Sequence, residues 1–130
     1  MNLNLSIIYI AYNRPDHLNK SIKSTFFLKS WFNLSYIFFI DGPKSQSDEK
    51  KIDNCHCCIE SIVHSPKIFK SKTNLGLKKN INRALSYIQD YNIEKCFFLE
   101  DDIIFKSHFF DKILMDKIYN SSIFSLHNGF

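Results

Sequence analysis

The stretch Cys96-Phe97-Phe98-Leu99-Glu100-Asp101-Asp102-Ile103-Ile104-Phe105 places the tightest limit on the fold. Four apolar residues run into three carboxylates, and three apolar residues follow. An apolar run of this length reads as a strand buried on both faces, as in a parallel sheet. Three adjacent acids repel one another and lose hydration unless something positive offsets them. At the carboxyl end of a parallel strand, that object is commonly a divalent cation carrying a phosphate ligand. A solvated loop is the plainer alternative, but charges placed only for solubility rarely interrupt so apolar a segment.

The remaining chain alternates between the two hydrophobic periods. Residues 5–11 (Leu-Ser-Ile-Ile-Tyr-Ile-Ala) are β-branched, aromatic and apolar, and predict a central first strand. Tyr12-Asn13-Arg14-Pro15 ends it, with Pro15 in the first turn of a helix whose stripe is Leu18, Ile22 and Phe26, reaching about Leu28. Residues 35–40 predict strand two, closed by Asp41-Gly42-Pro43. Ser47 is the expected cap of the next helix, with Asp48 and Glu49 in its first turn and Ile52, Cys55, Ile59 and Ile62 facing inward. Residues 67–70 predict a short third strand. Leu77, Ile81, Ala84, Leu85 and Ile88 mark a third helix, and the acidic strand comes next. Ser107 is the expected cap of a fourth helix, with Phe110, Ile113, Leu114 and Ile118 inward, and residues 123–126 predict a last strand. This alternation implies one α/β domain over residues 1–130, a three-layer sandwich with a mostly parallel sheet in the order 3-2-1-4 plus the last strand.

Composition narrows the function. With 45% hydrophobic and 23% charged residues the chain is globular. No apolar run approaches the roughly 20 residues that span a bilayer. The N-terminus lacks the basic region and cleavage site of a signal peptide, so the expected location is cytoplasmic. A net charge of +4, dispersed along the chain, argues against nucleic acid as a partner but allows peripheral contact with an anionic membrane. Cys55, Cys57, Cys58 and Cys96 are expected as reduced thiols. Cys55-His56-Cys57-Cys58 lacks the second pair of ligands that a structural zinc site takes, and Cys55 and Cys58 read as small apolar groups facing the core. His17, His56, His64 and His108 have no partner pattern.

In the order 3-2-1-4, strands one and four are neighbours whose connections leave in opposite directions, so a crevice opens at their carboxyl ends. Ala11, Tyr12, Asn13 and Arg14 arrive there from strand one, Glu100, Asp101 and Asp102 from strand four, and Asp41 from strand two. Acids for base, ribose or metal together with an arginine for phosphate suit a nucleoside diphosphate. Each residue also has an ordinary role: Arg14 as a solvated charge at a helix start, Asp41 as a turn residue, Asn74 and Gly76 as turn and cap chemistry, Lys78 and Lys79 as surface charges.

Ile10-Ala11-Tyr12-Asn13-Arg14, Asp41, Asn74-Leu75-Gly76-Leu77-Lys78-Lys79-Asn80 and Glu100-Asp101-Asp102, in that order, resemble the GT-A nucleotide-sugar glycosyltransferases, including the N-acetylglucosaminyltransferase I type. The resemblance covers nearly the whole chain but only the donor-binding half of such an enzyme. It implies nucleotide-sugar contacts from Ala11, Tyr12, Asn13, Arg14, Asp41, Asn74, Gly76, Lys79 and Asp101. Asp41 would meet base or ribose, Asp101 would sit near the ribose or the metal, and Asp102 would hold Mn²⁺ or Mg²⁺. Glu100 reads as an orienting acid. The implied donor is a nucleoside-diphosphate sugar, UDP-linked for preference, and the acceptor a glycan or lipid-linked hydroxyl. The acceptor side, where His127 falls, and the general base belong to a later half, so a stop soon after a strand reads as a truncation. The alternative in another class is a non-catalytic nucleotide-binding or interaction module of the same fold. A phosphoryl-transfer domain fits less well, because its nucleophilic Asp would follow the first strand, where Tyr12-Asn13 stands.

Overall fold

The computed structural model describes residues 3–121, so the expected last strand and His127 lie outside the described residues. The elements are β1 (Leu3–Ala11), α1 (Pro15–Ser24), a 3-10 helix (Phe26–Ser30), β2 (Phe32–Ile40), α2 (Gln46–Ile62), β3 (Lys67–Lys70), α3 (Leu77–Asp90), β4 (Cys96–Glu100), a 3-10 turn (Ser107–Phe109) and α4 (Lys112–Asn120). The four strands form one parallel sheet in the order β3-β2-β1-β4. Ala11 pairs with Ile40 and Ile10 with Glu100, so β1, β2 and β4 end at one level.

Side-chain alternation along the strands divides the core. Leu5, Ile7, Tyr9 and Ala11 pack with Phe38, Phe97 and Leu99 against Leu18 and Ile22 of α1, Ile52, Cys55 and Ile59 of α2, and Met115 and Ile118 of α4. Ile8, Ile10, Ile37 and Phe39 pack against Ala84 and its neighbours on α3. Three helices thus cover one face and one covers the other, which makes an α/β sandwich of the Rossmann-like kind. Tyr9 stacks on Phe38 with ring centroids 5.3 Å apart, within the range where offset aromatic pairs attract.

The uneven cover corrects one expectation. Strand four is not buried on both faces: Phe98, which pairs with Ile8 on the α3 side, is 37% exposed. The strand also stops at Glu100, and residues 103–105 continue as loop.

Other departures concern helix ends and faces. The first helix stops at Ser24 and passes into the 3-10 helix through Thr25, whose hydroxyl bonds the Ile22 carbonyl at 2.6 Å and meets the Tyr36 hydroxyl at 2.7 Å. Ser45, not Ser47, caps α2 by accepting from the Asp48 N–H. On α3, Leu77 and Leu85 face outward and Asn80 is buried. Asn80 lies inside without penalty because its amide donates to the Phe39 carbonyl at 2.9 Å and accepts from Arg83 Nε at 2.7 Å. Asp111, not Ser107, caps α4, which rotates Met115 inward and leaves Ile113 exposed.

Candidate functional site

A crevice of about 510 Å³ opens where β1 and β4 end. Its lining includes Ala11, Tyr12, Asn13, Arg14, Asp41, Asn74, Gly76, Glu100, Asp101 and Asp102. Nine of the ten residues expected to contact donor or metal therefore meet in one place. Lys79 does not line the crevice, since it is exposed on α3. Lys44 lines it instead, together with Leu77 and Asn80.

The first wall is the turn after β1. Tyr12 donates its hydroxyl to Asp48 Oδ2 and Asn13 donates its amide to Asp48 Oδ1 at 2.8 Å. The Lys44 backbone N–H reaches Asp48 Oδ2 at 3.0 Å. Asp48 thus ties the β1 and β2 tips to the first turn of α2. These donors, that of Tyr12 foremost, hold its carboxyl down at about 2. Arg14 follows as the residue before Pro15, the first residue of α1.

The second wall is the turn after β2 with the loop at 74–76. Asp41 is 5% exposed. Its Oδ1 accepts from the N–H groups of Gly42 and Leu75, both at 2.7 Å. Its Oδ2 accepts from Gly76 N–H at 3.0 Å and Asn74 Nδ2 at 3.3 Å. A carboxylate has about four acceptor positions, and all are used within the chain. Asp41 therefore holds the loop that brings Asn74 and Gly76 to the crevice, where the resemblance had it meeting base or ribose. The approach is close: a Cβ on Gly42 would lie 2.3 Å from the Thr73 carbonyl oxygen, so only glycine fits. Gly76 sits at φ +84° as the residue before α3, a conformation that glycine adopts without strain.

Arg83 fastens this wall from behind. Its Nη2 donates to the carbonyls of Ile40 at 2.8 Å and Phe69 at 3.0 Å. Burial lowers the pKa of its guanidinium, and the nearby Asp41 opposes that shift.

The acids form the third wall, and the three are not equivalent. Asp101 is buried and forms a charge-assisted hydrogen bond with Arg14 Nη2. That bond raises the Arg14 pKa. Asp102 is 42% exposed at its side chain, with Oδ2 3.7 Å from Arg14 Nη1. Glu100 is exposed at the end of β4. The loop beyond the acids is braced by α1: Ser21 donates to the Ile103 carbonyl, the Tyr9 hydroxyl meets Ser21 Oγ at 2.8 Å, and Ser24 Oγ accepts from Phe105 N–H at 2.9 Å.

Among the described residues, no three His, Cys, Asp or Glu side chains gather as a metal cage. Asp102 nevertheless suits a divalent ion that arrives with phosphate, because Mg²⁺ is usually held by one or two carboxylates plus substrate phosphates. Its carboxylate opens to the crevice, whereas that of Asp101 is committed to Arg14. No cysteine lines the crevice. Burial pushes the Cys55 thiol up to about 12, and the thiols of Cys58 and Cys96 are also raised by burial, against the thiolate a metal needs.

Lys44 and Asp48 escaped the sequence reading, as did the inward placement of Asn80, which the resemblance included only as the end of the Asn74–Asn80 motif. Asn80 did leave a signal, as a polar residue three positions after Leu77 and four before Ala84. Asp48 showed only as an acid in a helix's first turn, and Lys44 as one of several lysines in a polar loop.

The fold and the site together define a Rossmann-like α/β domain with its crevice at the topological switch point. No protein-family model matches the chain, and no curated protein sequence matches it.

Proposed function

We propose that this chain is the donor-binding half of a GT-A glycosyltransferase, which holds a nucleoside-diphosphate sugar for transfer to an acceptor hydroxyl of a glycan or lipid-linked sugar. One observation carries the reading: Arg14 and the open carboxylate of Asp102 lie 3.7 Å apart in the switch-point crevice. A cation and an unburied acid side by side suit a diphosphate and its counter-ion better than either suits alone.

In the transfer, the acceptor oxygen bonds to the anomeric carbon and the bond from that carbon to the diphosphate breaks. The electron pair leaves with the diphosphate. Arg14 and Lys44 supply positive charge where that negative charge grows. Asp101 keeps the guanidinium in place, and Asp48 and Asp41 fix the walls that shape the crevice. When bound, Mn²⁺ or Mg²⁺ at Asp102 supplies further charge neutralisation at the phosphates. The acceptor's proton goes to a general base not assigned to any described residue.

Isothermal titration of UDP and GDP with Mn²⁺ tests the reading. The expected result is binding that requires the metal and weakens at least about tenfold in Asp102→Ala. Absence of binding in both proteins would favour a protein-interaction module of the same fold. Metal-independent binding that is unchanged in the variant would leave a nucleotide site of another kind.

A further inference from the structure

Arg14 divides its guanidinium between two acids in different surroundings. Nη2 pairs with Asp101, whose side chain is 4% exposed, and Nη1 stands 3.7 Å from Asp102, whose side chain is 42% exposed. The first contact is a hydrogen bond between charged partners, one of them buried, and breaking it would strand a buried carboxylate. The second is too long for a hydrogen bond and lies in a solvated setting, where an ion pair contributes little. Nη2 is the anchor, and Nη1 is the part that can change partner without cost to the fold.

We propose that Arg14 is a resident counter-cation for Asp102, and that a diphosphate draws Nη1 away as it binds, so that a divalent ion and a nucleoside diphosphate enter the crevice cooperatively. The proposal rests on the donor-site reading above. Without ligand, the guanidinium offsets part of the charge of Glu100, Asp101 and Asp102, which weakens their pull on a free divalent ion. A diphosphate alone meets Glu100 and Asp102 and is repelled. A phosphate oxygen is a strong, planar-matched partner for Nη1, and Lys44 in the same crevice adds attraction. With Nη1 turned to phosphate, the Asp102 carboxylate faces the cation with its full charge. Coupling of this kind is reciprocal: each ligand tightens the other by the same factor.

Two measurements test it. In the first, Mn²⁺ alone is titrated at low ionic strength, with free Mn²⁺ followed by electron paramagnetic resonance. Arg14→Gln keeps a donor for Asp101 but removes the charge, and is expected to bind Mn²⁺ alone roughly tenfold more tightly than the wild type. Arg14→Lys keeps the charge and is expected to stay near the wild type. In the second, which needs no variant, the Arg14 Nε–H resonance of the wild-type chain is followed by ¹⁵N NMR. It is expected to stay in place with Mg²⁺ alone and to shift with UDP and Mg²⁺ together. Equal Mn²⁺ affinity in wild type and Arg14→Gln, or a resonance moved as far by Mg²⁺ alone, would overturn the proposal while leaving the donor site standing. Failure of the wild type to bind UDP with metal at all would overturn the donor reading and this proposal with it.

Discussion

At the scale of single residues, Asp48 links the site to stability. Its carboxylate receives Tyr12, Asn13 and the Lys44 backbone, and these donors lower its pKa from 3.8 to about 2. The folded value lies below the unfolded one, so the folded chain binds fewer protons between those values. The stability due to Asp48 is complete above about pH 4 and drains away as pH falls through the folded value near 2. Asp48→Asn removes the titration but keeps the shape. Urea unfolding across a pH series is expected to show a lower plateau near neutrality for the variant and a shallower decline between about pH 4 and 2. An unchanged slope would mean that another carboxylate dominates acid unfolding. Arg14 and Asp101 show the same economy: one buried acid fixes one nitrogen of the cation, and a second nitrogen stands beside Asp102 in the crevice.

At the scale of elements, helix ends carry what periodicity does not. Lys95, just before β4, donates Nζ to the carbonyls of Ile118 and Tyr119 at 2.9 Å each and to that of Ser121. It closes the C-terminus of α4, where carbonyls lack partners and the helix dipole favours a cation. Lys95→Met is expected to cost about 1–2 kcal/mol in denaturant unfolding, with faster amide exchange confined to α4. β1 to β4 and the inward stripes of α1 and α2 were legible in the sequence because apolar periodicity is a local signal. Helix starts were not, since Ser45 competes with Ser47, and Ser107 with Asp111, and packing chooses between them. The inward face of α3 was misread at Leu77 and Leu85 for a related reason: Asn80 is admitted only because the Phe39 carbonyl waits for it across the chain. The same distinction holds at the site. Residues at strand tips were readable once the strand order was inferred, and Asp102 beside Arg14 followed from it. The exchange of Lys79 for Lys44 depends on helix phase and loop path, which no local pattern encodes.

At the scale of the whole molecule, the sheet order sets both the site and the sequence of local unfolding. β1 is central: it pairs over nine residues with β2 and five with β4, and its odd and even side chains bury in two separate cores. β3 pairs over only four residues, and three of the four are exposed. Amide exchange of a folded chain follows the free energy of the smallest opening that frees each group. Opening β3 uncovers little apolar surface, whereas opening β1 divides both cores. Hydrogen exchange read by NMR is therefore expected to be slowest at residues 7–9, faster across β4 and fastest among the strands at residues 67–70. The crevice lies at the tips of the slow strands but is closed on one side by the 74–76 loop, whose N–H groups hang on Asp41. Asp41→Ala would leave the buried Gly42 N–H and the partly buried N–H groups of Leu75 and Gly76 without their acceptor, at a cost of about 2–4 kcal/mol, and should speed exchange at Leu75 and Gly76 while leaving the order among β1, β4 and β3 intact. Should residues 67–70 instead exchange as slowly as 7–9, the sheet would open as a single unit. The rigidity of the site would then come from the whole fold rather than from its central strand.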